Sequence, residues 1–261
     1  MSAEIGKAMD AGVFACVLHM EGCEPIDEEL EALETFHAAG LRSLGPVWSR
    51  PNQFGHGVPF AYPSSPDTGP GLTAAGERLV KACNEIGILV DLAHLTEQGF
   101  WDVARISDQP LVVSHANAHA LTPVARNLTD RQLDAVRGSG GLVGLNFAVG
   151  MLRRDGREDT ATPLSDMVRH VDHLVARLGI EGVGLGSDFD GAPIPAGIGD
   201  AAGLQKLVAA LRAAGYGEAD LGKICRGNWL RVLRSAWREE PPRQEIDETS
   251  EHLEGNTGHE A

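Results

Sequence analysis

The chain has 261 residues, 43% of them hydrophobic, and a formal net charge of −15 at pH 7. This apolar content can fill the core of one large domain, while so acidic a balance argues against a nucleic-acid partner, whose phosphates need clustered Lys and Arg. No apolar run reaches the roughly 18 to 20 residues of a membrane helix, so no membrane partner is expected either.

The opening "MSAEIGKAMDAG" has no apolar segment after a basic start, so it does not read as a signal peptide and a cytoplasmic location is expected. Short apolar runs then alternate with amphipathic helical patterns. Strands are predicted at 12–22, 41–48, 87–94, 110–117, 140–147 and 182–191, mostly opened by Gly or Pro and rich in Val and Leu, as buried parallel strands are. Helices are predicted at 27–39, 73–86, 98–106, 129–137, 163–178 and 201–214. "TDRQL" at 129 offers a capping threonine, and Pro163 suits a first helical turn. Residues 49–73 are rich in Pro and Gly and read as a long βα loop.

Alternating strands and helices imply an α/β fold with parallel strands and right-handed crossovers. The spacing suits a (β/α)₈ TIM barrel, yet six strands leave such a barrel incomplete. Cys16, Cys23, Cys83 and Cys225 form no paired motif and read as reduced thiols, with Cys16 and Cys83 expected in the core. Residues 238–261 hold eight acidic and two basic side chains, hence −6 of the charge, so a disordered tail is expected after a barrel domain at 1–237.

Four of the predicted strands finish on residues that can hold a metal: Glu21, His94, His115 and Asp188. In a parallel sheet or barrel all strand C-termini face one side, so these groups would converge. Two imidazoles and two carboxylates suit a hydrolytic zinc site. Singly, each has a structural explanation, since a strand-end His is often hydrogen-bonded in place and a strand-end Asp often caps the next helix. Asp91 can be an acceptor that orients an imidazole or a buried residue facing a helix. His19 is read as part of a packed interior layer, His119 as helical, and His170 and Asp172 as helical residues pointing to different sides. Arg126, in a βα loop, can clamp a substrate carboxylate or lie exposed in solvent.

"DLAHLTEQGFWDV", "PLVVSHANAHAL", "ARNLTDRQL", "HVDHLVARLGIEGVGLGSDFDG" and "RGNWLRVL" together resemble the membrane (renal) dipeptidase family of zinc peptidases, from about Val13 to Arg234. The resemblance implies a (β/α)₈ barrel that hydrolyses dipeptides by a metal-bound hydroxide, with two zinc ions in the family and as few as one here. It implies that Glu21 bridges the metals, that His94 and His115 ligate the second, and that Asp188 lies near the first and shuttles a proton. Arg126 resembles the arginine that holds the dipeptide carboxylate, and a homodimer is a further implication. Two departures stand out: no strand ends in the family's His-x-Asp, so the barrel is expected to lack its N-terminal strand, and Trp48 stands near where many members carry a substrate-polarising histidine. The alternatives are an impaired barrel that serves as a ligand- or partner-binding protein, and a related amide or lactone hydrolase.

Overall fold

A computed structural model describes residues 2–238; the predicted acidic tail lies outside the described residues, save Arg238. In chain order the elements are α1 (Ser2–Asp10), β1 (Leu18–Glu21), α2 (Glu31–Ala38), β2 (Leu41–Gly45), α3 (Ala74–Ile86), β3 (Leu89–Val90), α4 (Glu97–Ile106) and β4 (Val112–Ala116). There follow α5 (Asp130–Gly138), β5 (Leu142–Asn146), α6 (Val149–Leu152), α7 (Leu164–Leu178), β6 (Val183–Gly186), α8 (Leu204–Ala213), α9 (Glu218–Gly222) and α10 (Asn228–Ala236).

Local chemistry sets the helix ends. Thr73, Thr96 and Thr129 each accept a backbone N–H in the first turn of α3, α4 and α5, and Gln132 completes a capping box with Thr129. Gly87 ends α3 in the left-handed region, φ 75°, where a side chain would be strained.

The strands form two parallel sheets, β1-β2-β3 and β4-β5-β6. One residue joins them. The Asp91 N–H donates to Leu44 O at 2.7 Å, and the next N–H, of Leu92, donates to Val112 O at 2.8 Å. The six strands therefore run as one arc in sequence order. Inside the arc, β5 and β6 approach β4 so closely that a Cβ on Gly144 or on Gly186 would lie 1.9 Å from the Ser114 carbonyl oxygen. Outside it, helices bury Leu79, Val80, Phe100, Val103, Leu133 and Val171 in the main core. At the N-terminal ends of the strands, Val232, Leu233 and Trp237 pack on Leu89, Val112 and Leu142, so α10 closes the end opposite the site. Between β1 and β6 there is a cleft of about 790 Å³ rather than a strand pair.

Several expectations are corrected. Only Leu18–Glu21 of the predicted strand 12–22 is extended and paired; Val13 and Phe14 are 59% and 89% exposed, and Cys16 is exposed rather than in the core. Cys83 is buried as expected. The 87–94 strand shrinks to Leu89–Val90, because the chain turns away after Asp91. Helices α1 and α10 were not anticipated; α10 follows directly on Gly227 with no capping side chain to announce it.

Gly144→Ala tests the close approach. Its Cβ would meet backbone, which cannot swing away, so the variant should lose about 1 to 3 kcal/mol in urea unfolding. An unchanged midpoint would show that β5 can move off β4.

Candidate metal centre

Glu21 is the last residue of β1 and His115 lies on β4, both at the C-terminal end of the arc. His94 reaches the same point from the turn after β3, where its backbone takes φ 66°. A left-handed non-glycine residue is uncommon and costs about 1 to 3 kcal/mol, which marks the turn as held by its surroundings. Those surroundings are visible: Val58 N donates to the His94 carbonyl at 2.7 Å, and Gly57 bridges to Leu95. The long 49–73 loop is thus pinned to the end of β3.

The three side chains meet. His94 Nε2 lies 3.0 Å from Glu21 Oε1, His115 Nε2 lies 3.3 Å from the same oxygen, and the two Nε2 atoms are 3.0 Å apart. Among the described residues, Glu21, His94 and His115 form the cluster whose ligand atoms all lie within 4.8 Å of one another. Burial pushes His94 down to about 2 and His115 down to about 3, with the Arg126 cation adding to both. Both rings are therefore neutral at pH 7. Lone pairs converging with so little proton to share are what a divalent cation relieves, and the donor set fits zinc as it fits manganese, cobalt or iron.

Asp188, the fourth predicted ligand, lies outside that cluster. It follows β6 at φ 58° and faces the same cavity, with Oδ2 accepting from Asn146 Nδ2 at 3.1 Å. Burial raises its pKa, against the Asn146 bond and the Arg126 charge. Arg126 is buried, not solvated. Its Nη2 donates to His115 O at 3.3 Å, and its Nε has no partner. Burial lowers its pKa to about 10, although Asp188, Asp91 and Glu21 favour its charge. A buried guanidinium with unspent donors beside a cavity has the chemistry to pair with an anion. That cavity holds about 440 Å³ and is walled by Trp48, Phe60, Tyr62, Val124 and Met151 together with Glu21, His94, Arg126 and Asp188. The Trp48 and His94 rings lie 5.8 Å apart between centroids, tilted by 35°.

The membrane dipeptidase profile (peptidase family M19) matches residues 1–245. This chain belongs to that family. A solved metallopeptidase from Rhodobacter sphaeroides, liganded with a phosphinate mimic of the dipeptide L-Ala-D-Ala, superposes with a TM-score of 0.90 at 56% identity, over 91% of this chain and 68% of that one. An uncharacterized protein from the pqqA 5′ region of Klebsiella pneumoniae is 50% identical over 238 residues, 91% of this chain and 88% of that protein. The dipeptidase tcpJ of Claviceps purpurea is 31% identical over 232 residues, 88% of this chain and 53% of that protein. The chain thus spans about half the length of that dipeptidase.

Within this family member, three supporting residues escaped the sequence reading. Ser49 Oγ lies 2.7 Å from His94 Nδ1, Ser114 Oγ lies 2.7 Å from His115 Nδ1, and Asn146 holds Asp188. Asn146 was findable as a fifth polar strand end; the serines carry no spacing signal. Asp91 is buried and meets the Ser114 hydroxyl, which in turn lies beside His115 Nδ1. His19 is not packed in an interior layer: it is exposed on β1 and lines the cleft beside β6, with Nδ1 2.9 Å from the Ser43 hydroxyl. His119 is not helical; its Nε2 meets the Ser64 carbonyl. His170 and Asp172 diverge as expected, His170 inward to the Ala118 N–H and Leu152 carbonyl, Asp172 outward to Tyr216.

Among the described residues, no helix is long and apolar enough to cross a membrane.

Buried His170 is depressed to about 4 by burial, against an ordinary value near 6.5. A depressed folded pKa contributes stability that is complete above 6.5 and lost as pH falls toward 4. Urea midpoints should therefore fall between pH 7 and pH 4.5, and His170→Gln should make that fall shallower. An equal slope in both proteins would show that His170 does not drive it.

Proposed function

We propose that this chain is a zinc-dependent dipeptidase, and that the six-stranded arc corresponds to six of the eight strands of a TIM barrel. The carrying observation is the meeting of Glu21, His94 and His115 within 4.8 Å, beside a cavity that the buried Arg126 also lines. Membership of the dipeptidase family supports the same reading. Its four cysteines are free thiols, which suits a reducing, cytoplasmic compartment.

On this reading Glu21, His94 and His115 hold the cation. A divalent ion there supplies Lewis-acid polarisation of the scissile carbonyl and lowers the pKa of water. The residues of the chain do the rest. Arg126 binds the substrate carboxylate by charge-assisted hydrogen bonds and so fixes which amide faces the cation. Asp188, whose raised pKa brings it nearer neutrality, holds and passes the proton between attacking water and leaving amine, while Asn146 fixes its orientation. Trp48, Phe60 and Tyr62 line the mouth and exclude water from the bound peptide. A cavity of about 440 Å³ suits a dipeptide better than a longer chain.

Elemental analysis after zinc exposure and dialysis should find at least one equivalent, and His94→Ala combined with His115→Ala should abolish it. Well under one equivalent in the unaltered chain overturns the reading and leaves ligand binding as the better one. With dipeptide substrates, Arg126→Ala should raise KM and cut kcat/KM about 10- to 100-fold, the loss of one charged hydrogen-bonding group. Equal loss toward an amide without a free carboxylate would remove Arg126 from that role.

A further inference from the structure

We propose that Asp91 and Ser114 are positioning residues that fix His115 with its proton on Nδ1, so that Nε2 faces Glu21 and His94 as a bare lone pair. The inference rests on the metal-centre reading and concerns which atoms of this chain prepare it.

Hydrogen-bond direction carries the argument. The Asp91 side chain is buried, and its Oδ1 accepts from the backbone N–H groups of Ala93 at 3.0 Å and Ser114 at 2.7 Å. Those donors can only donate, so this end is held as an acceptor. The other oxygen, Oδ2, meets the Ser114 hydroxyl in a short hydrogen bond. A carboxylate has no proton to give, hence the hydroxyl donates. A hydroxyl has one proton. With it committed to Asp91, Ser114 Oγ can only accept from His115 Nδ1, 2.7 Å away. A neutral imidazole carries a single N–H, so Nε2 is left bare. His19 Nε2 lies 3.8 Å from Asp91 Oδ2, too far to compete as a hydrogen-bond donor.

His94 is built differently. Its Nδ1 meets the Ser49 hydroxyl at 2.7 Å, and among the described hydrogen bonds no carboxylate directs that hydroxyl. His94 can take either tautomer. Without a cation it can donate from Nε2 to Glu21 and to His115 Nε2, both 3.0 Å away. One imidazole is preset and the other adjusts.

The relay also has a rigid base. The Asp91 main chain links the two sheets, and the Ala93 and Ser114 N–H groups hold its carboxylate on that fixed backbone. Ligand-orienting groups of this kind change metal affinity about 10- to 100-fold when removed.

The test is long-range ¹H–¹⁵N NMR of the metal-free full chain, with His115 assigned by comparison with His115→Ala. His115 should show the Nδ1–H tautomer. Asp91→Asn keeps an oxygen for the two backbone donors but turns an NH₂ toward Ser114. The hydroxyl must then donate to His115, moving the imidazole proton to Nε2. Calorimetry should show zinc binding weakened about 10- to 100-fold. Ser114→Ala, which removes one atom, should give mixed tautomers and a smaller loss. It decides the matter should Asp91→Asn fail to fold, as judged by circular dichroism.

An Nε2–H tautomer for His115 in the unaltered chain, or unweakened zinc binding in Ser114→Ala, overturns the relay. If the unaltered chain binds no zinc, the metal-centre reading falls, and the tautomer spectrum still judges the relay alone.

Discussion

The junction at Asp91 is where the two three-stranded sheets become one arc, and most of what lies at the site depends on it. Two consecutive backbone N–H groups, of Asp91 and Leu92, reach opposite ways, one to β2 and one to β4. The Asp91 carboxylate then turns back onto the Ser114 N–H and hydroxyl. A buried carboxylate is costly unless its oxygens are filled by donors, and here backbone and hydroxyl donors fill both. The group that closes the seam is the group that faces the imidazole support, so sheet assembly and site geometry are set by one interaction.

The electrostatics follow from that placement. His94 and His115 are withdrawn from water, and burial lowers the pKa of both, which favours neutral rings with lone pairs free to coordinate. Arg126 reinforces this from behind, its guanidinium buried against the His115 carbonyl. The same cation is kept charged by three carboxylates, Asp188, Asp91 and Glu21. The left-handed turns at His94 and Asp188 are the backbone cost of bringing side chains from a strand end into this group.

Legibility in the sequence tracked how local the signal was. Helices α3, α4 and α5 were readable because period and threonine cap lie within one window. The convergence of Glu21, His94 and His115 was readable because parallel strands present the same end to the same side. Asp188 falls outside the ligand cluster because its turn, not its position in sequence, sets the distance. Residues 12–17 looked like a strand by composition, and "GVFACV" has the apolar content of one. Their extension would need a pairing partner, and pairing is not a local property. Ser49 was invisible because it meets His94 only across 45 positions of chain, and Ser114, although next to His115, gains a direction only from Asp91, 23 positions away.

The two halves of the ligand set differ in how firmly they are held. His94 and His115 are nearly buried, each with an Nδ1 partner, and they flank the seam. Glu21 is 42% exposed and comes from β1, which is paired on one side only, to β2. Its position rests on four residue pairs, with an irregularity between Leu18 and His19. Strand pairing on one edge leaves the other edge's N–H and C=O groups open to the cleft beside β6. The imidazoles therefore define where a cation would sit, while the carboxylate that balances its charge is placed by the least constrained strand of the arc.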